Sequence, residues 1–100
     1  MPSTPIAITK KVTATWTNGR PDSATTFPGS SETVQEWWAP FNEDMVAQEK
    51  TNGVYYVVDA DTNYKLWADQ TSAQAFYDKC VECATKLNRA SDLTVVIENF

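Results

Sequence analysis

Apolar and polar residues alternate from Ile6 to Thr17, where Val12, Ala14 and Trp16 recur at period two with Thr13, Thr15 and Thr17 between them. That pattern predicts a half-buried strand, and its Thr and Val content suits one. A helical period follows a long connector. Val34, Trp37, Trp38, Phe41, Met45 and Val46 fall at offsets that share one helical face. Thr33 followed by Glu36 can form a capping box, so this helix should start near Ser31 to Thr33. Pro40 lies inside the pattern and lacks the amide donor of a helix interior, which predicts a kink or break there. Asn52-Gly53 is the expected stop.

The next two runs, Val54 to Val58 and Tyr64 to Ala68, predict a hairpin joined by Asp59 to Asn63. Within it Val54, Tyr56 and Val58 point one way while Tyr55 and Val57 point the other, so the strand carries apolar groups on both faces. A second helix is expected over residues 71–88, capped by Asp69 or Thr71, with Ala73, Phe76, Tyr77, Cys80, Ala84 and Leu87 forming its buried stripe. Leu93 to Phe100 closes the chain as a strand, with Leu93, Val95 and Ile97 on one face and Val96 and Phe100 on the other.

In order, these elements give β-α-β-β-α-β: an α+β class, ferredoxin-like sandwich with a four-stranded antiparallel sheet and two helices on one face. One hundred residues suit one domain, residues 1–100, with a small core. The connector Asn18 to Ser31 contains Gly19, Pro21, Pro28 and Gly29 and is long for so small a domain. Ligand binding, cover of a sheet edge or mobility would each explain its length. Tyr55, Val57, Trp67, Val96 and Phe100 are expected on the sheet face away from the helices, where a second copy would bury them. In this respect the chain resembles proteins of the dimeric α/β-barrel class. The resemblance lies in element order and surplus apolar sheet surface, and it implies a homodimer without assigning any catalytic residue.

Charge and chemistry narrow the picture further. Thirteen acids against eight bases give a net charge of −5, and there is no His. Nucleic acid is therefore not an expected partner, since Lys10-Lys11 is a short pair and the remaining bases are scattered. The usual neutral-pH proton shuttle is missing too. No run approaches the ~20 apolar residues of a membrane span, and the start of the chain is not a leader, which predicts a soluble cytoplasmic protein without membrane attachment. Cys80 and Cys83 form one CxxC late in a helix beside Glu82, where neither a helix N-terminus nor a cation favours a thiolate, so Cys80 reads as a small core residue. Two cysteines without His do not make a zinc site. Asp59, Asp61 and Asn63 mimic the start of a calcium loop, but Tyr64 stands at its glycine position and Gln70 at its final glutamate, so the segment reads as a turn and no metal is expected. The isolated glycines build no phosphate loop, and no cofactor is expected.

Two functional readings follow. A small homodimeric interaction or assembly protein, with a protein partner available to the long loop and exposed aromatics, is the first. The alternative is a small-molecule-binding protein or cofactor-independent enzyme, in which Trp37, Trp38 and Tyr56, with Trp67, contact an aromatic compound between sheet and helices. No paired acid and base stands out from the spacing of the acids, so catalysis is the less expected of these roles.

Overall fold

The computed structural model describes residues 6–100. Strand β1 spans Lys10–Trp16, helix α1 Val34–Ala47, strand β2 Thr51–Val57, strand β3 Thr62–Trp67, helix α2 Gln70–Lys86 and strand β4 Leu93–Asn99. A short 3-10 turn, Ala90–Asp92, leads into β4. The four strands form one antiparallel sheet in the order β2-β3-β1-β4, which is the ferredoxin-like arrangement. β1 starts four residues later than the alternation suggested, at Lys10 rather than Ile6. Among the described residues no helix is long and apolar enough to cross a membrane.

Both helices begin where their caps dictate. The Thr33 hydroxyl accepts from the Glu36 amide, and the Glu36 carboxylate accepts from the Thr33 amide at 3.1 Å, which closes the capping box. These bonds hold the Glu36 carboxyl below the ordinary carboxylate range. Asp69 caps α2 by accepting from the Ser72 amide at 2.8 Å, and that bond, with Lys50 nearby, lowers its carboxyl similarly. Pro40 does not break α1, which runs unbroken to Ala47. A proline removes one helical donor, and Pro40 is on the exposed side, where water can take the freed carbonyl. The helix ends before Asn52-Gly53, with Glu49 adopting a left-handed φ of 56° just beyond it.

Gly53 instead serves β2. Its φ of 75° coincides with an irregular pairing between Thr51 and Tyr55, a bulge that only a residue tolerant of positive φ accommodates without strain. Beyond the bulge Tyr55 pairs with Lys65 and Val57 with Asn63, while Lys65 pairs with Val12 and Asn63 with Ala14. Cross-strand partners share a face, so Tyr55, Val57, Lys65 and Trp67 all lie on the helix side of the sheet with Val12; Lys65 and Trp67 are buried there, while Tyr55 and Val57 are 42% and 59% exposed.

That register corrects part of the expected outer surface. Tyr55, Val57 and Trp67 belong to the helix side, and only Val96 and Phe100 of the five named residues lie on the other. Val96 pairs with Thr13, one residue out of phase with the Val12–Ile97 pair, and Phe100 follows the same alternation. The inversion covers β2 and β3 together, because a one-residue change of phase exchanges every side chain between faces. Opposite the helices stand Lys11, Thr13, Thr15, Tyr56, Thr62, Tyr64, Leu66, Thr94, Val96 and Glu98.

The core sits between sheet and helices. Val12, Trp67, Ala73, Phe76 and Cys80 form its buried centre, with Trp38, Phe41, Met45, Leu93, Val95 and Ile97 packed around it. A second cluster of Phe27, Val34 and Cys83 is completed by Trp37 and Leu87. Val46, expected on the apolar face of α1, is half exposed, with its side chain near Gly53 of β2. The indole nitrogen of Trp67 is buried without a hydrogen-bond partner among the described residues.

Candidate functional site

The Asn18 to Ser31 connector is pinned rather than loose. Arg89 donates from its guanidinium to the carbonyls of Thr17 at 2.9 Å and Gly19 at 2.8 Å, and pairs with Asp92 at 3.0 Å. Farther along, the Val34 amide donates to the Thr25 carbonyl and the Gln35 amide to the Ser23 carbonyl. These bonds satisfy two of the free donors at the start of α1 with loop backbone. Phe27 is buried against Val34 and Cys83, with its ring edge-on to Trp37 at 5.7 Å and Lys86 above it. The connector thereby becomes a wall.

Behind that wall lies a cavity of ≈ 670 Å³ between the sheet and α1. β1 contributes Ala14 and Trp16 to it, β2 Tyr55 and Val57, and β3 Asn63. α1 contributes Val34, Gln35, Trp38 and Asn42; α2 contributes Phe76, Cys80 and Cys83; the connector supplies Arg20, Pro21, Asp22 and Ser23. Ring centroids of Trp38 and Phe76 are 5.5 Å apart, and those of Tyr55 and Phe76 6.2 Å, giving a continuous aromatic surface.

The sequence-predicted pocket residues separate. Trp38 lines the cavity, and Trp67 lies close by in the core, 4.9 Å from Phe76. Trp37 instead packs on Phe27 under Lys79, outside the cavity. Tyr56 is on the opposite face of the sheet, stacked on Tyr64 at 4.8 Å, and takes a hydrogen bond from Asn52. Tyr55, assigned above to the outer surface, occupies the cavity position that Tyr56 was given.

A buried lysine that the sequence reading passed over lies behind two of the lining residues, Asn42 and Tyr55. Lys65 is 2% exposed, and its amine reaches to within 3.4 Å of Asn42 Oδ1. The same amine lies 5.1 Å from the Tyr55 ring centroid and 5.3 Å from that of Trp67. Neither of the two salt bridges among the described residues involves Lys65. Burial therefore lowers its amine from the ordinary lysine range. Burial pushes the Tyr55 phenol and the Cys80 thiol upward, so both are protonated near neutral pH. It raises Cys83 as well, partly offset by a hydrogen bond from the Trp38 indole.

Cys80 and Cys83 are both free and buried, and neither has the stabilised thiolate of a redox pair. Among the described residues no group of three or more His, Cys, Asp or Glu is placed to hold a metal ion. In the Asp59 turn, the carboxylate accepts from the Asp61 and Thr62 amides, each at 2.8 Å, as an Asx turn closing the hairpin.

One clue to the site was present in the chain. Lys65 occupies the same strand phase as Trp67, so burial of Trp67 carries a lysine with it. Comparison with family models, with curated proteins and with solved structures finds no match.

Proposed function

We propose that the protein binds a small aromatic or apolar organic molecule in the cavity between its sheet and α1. The observation carrying this reading is the ≈ 670 Å³ space faced by Trp16, Trp38, Tyr55 and Phe76 in a chain of only 100 residues. Ligand sites commonly have such volumes and combine apolar walls with a few placed polar groups. Asn42, Asn63 and Gln35 supply those groups here. The connector suits the role because it is fastened at both ends while contributing Arg20, Pro21, Asp22 and Ser23 to the cavity lining. Binding, rather than turnover, is the role these neutral groups support.

The neutral dye N-phenyl-1-naphthylamine provides a direct test. Its fluorescence should rise saturably with one molecule bound per chain, and Ala14→Phe, placing a ring on the cavity floor, should weaken binding by about tenfold or more. No saturable signal from the folded wild-type protein would dismiss the reading.

A homodimeric interaction or assembly protein is the second reading. It draws on Val96 and Phe100, which are 49% and 66% exposed on the face away from the helices.

A further inference from the structure

Lys65 refines the kind of molecule the cavity would hold, and this inference rests on the cavity reading above. Its strand position puts Val12 of β1 on one side and Tyr55 of β2 on the other, so the side chain runs into the layer beneath the helices. An ammonium offers three donors, but among the described residues the amine has one hydrogen bond, a long 3.4 Å contact to the neutral Asn42 amide, and no ion pair. The Tyr55 and Trp67 rings provide cation–π attraction but accept no charge. Around it, the titratable groups are Tyr55 from β2 and Cys80 from α2, both neutral near pH 7. β1 presents Val12 and α1 presents Asn42, neither of them titratable. At the rim, Arg20 and Asp22 contribute opposite charges.

A buried amine without a counterion is costly in its charged form, and an arriving anion removes that cost. We propose that the ligand is an aromatic carboxylate, its ring against Trp38, Tyr55 and Phe76 and its carboxylate paired with Lys65 beside Asn42. The Asn42 side chain carries amide donors in addition to the oxygen facing Lys65, so it can serve the same carboxylate. Lys65 does not itself line the cavity; Asn42 and Tyr55, which do, lie against its amine, and the carboxylate would reach it between these two side chains.

Tryptophan fluorescence titrations with 2-naphthoate and with its neutral counterpart 2-naphthalenemethanol separate charge from shape. Wild type should bind the acid about tenfold more tightly than the alcohol near neutral pH. That preference should shrink as alkaline pH removes the Lys65 proton, while alcohol binding stays flat. Lys65→Met should bind both compounds alike, and Asn42→Asp should lose acid affinity by about tenfold because its own carboxylate occupies the amine. Circular dichroism establishes that each variant is folded; if Lys65→Met is not, Asn42→Asp decides. Equal wild-type affinity for acid and alcohol would overturn the anion assignment and leave the cavity reading intact. Retention of the preference in folded Lys65→Met would also overturn it. If neither compound binds while N-phenyl-1-naphthylamine does, the anion assignment falls and the cavity reading stands; if none of the three binds, both readings fall.

Discussion

Cys80 illustrates how burial, more than position in a CxxC motif, sets the chemistry of a side chain. It lies among Val12, Trp67, Ala73 and Phe76, and desolvation raises its thiol above the ordinary value of 9.0, with Cys83 adding to the rise and Lys65 opposing it. The unfolded chain exposes the thiol and lets it ionise near that ordinary value, while the folded chain keeps it protonated. Above about pH 9 the unfolded state therefore binds fewer protons, and stability falls as pH rises. Below that range the contribution is fully present. Lys65 acts in the opposite direction, because its lowered amine keeps the folded state less protonated than the unfolded one. Comparing Cys80→Ala with wild type isolates the thiol from this opposing group. In urea unfolding under reducing conditions, the stability difference between them should be constant up to about pH 8. It should then narrow by as much as ~1.4 kcal/mol per pH unit above pH 9. A difference that stays constant through pH 10 would show that the thiol ionises equally in both states.

At the scale of elements, β2 and β3 decide which residues reach the cavity. Gly53 takes φ 75°, and a Cβ there would meet Val46 Cγ2 at 3.4 Å. That is ordinary van der Waals contact, so the backbone conformation dominates the cost. Gly53→Ala should destabilise the fold by about 1–2 kcal/mol, measured by chemical denaturation, whereas Gly→Ala in ordinary backbone tends to stabilise. An unchanged midpoint would mean that the bulge relaxes freely. The capping box at Thr33–Glu36, the apolar faces of both helices apart from Val46, and the order of elements were legible, because each depends on residues close in sequence. Strand phase was legible where apolar residues filled one face, as in Val12, Ala14 and Trp16 or Leu93, Val95 and Ile97. In β3 it was not. Tyr64 and Leu66 look like the inward pair by hydropathy, yet Asn63, Lys65 and Trp67 take that side. The pattern breaks where polar groups line or back a cavity, so Trp38 was found as a cavity residue while Asn42 and Asn63, and Lys65 behind the lining, were not. Tyr55 and Tyr56 exchanged roles for the same reason.

Across the whole molecule, the two faces of the sheet have become unequal. The helix side holds the core and the cavity, whereas the other side carries Thr13, Thr15, Thr62 and Thr94, the half-buried Tyr56–Tyr64 stack and the buried Leu66, with Lys11 and Glu98 in cross-strand register. Such a face can remain in water, as one side of an antiparallel sheet often does. Val96 and Phe100 add exposed apolar area to it, but Tyr55, Val57 and Trp67 no longer do. A stable dimer commonly buries about 800 Å² per partner around a well-packed apolar centre, which two side chains do not supply alone. Self-association through this face should therefore be weak. Sedimentation equilibrium is expected to find a monomer at low micromolar concentration and reversible dimer only toward millimolar. Val96→Lys should abolish that association by opposing like charges across the pair, with little effect on the thermal midpoint, since the residue is half exposed. A tight dimer at micromolar concentration, broken by Val96→Lys, would instead move the assembly reading ahead of the cavity as the reason for this fold. A chain that stays monomeric at millimolar concentration would remove the outer face from functional consideration and leave the aromatic cavity on the helix side.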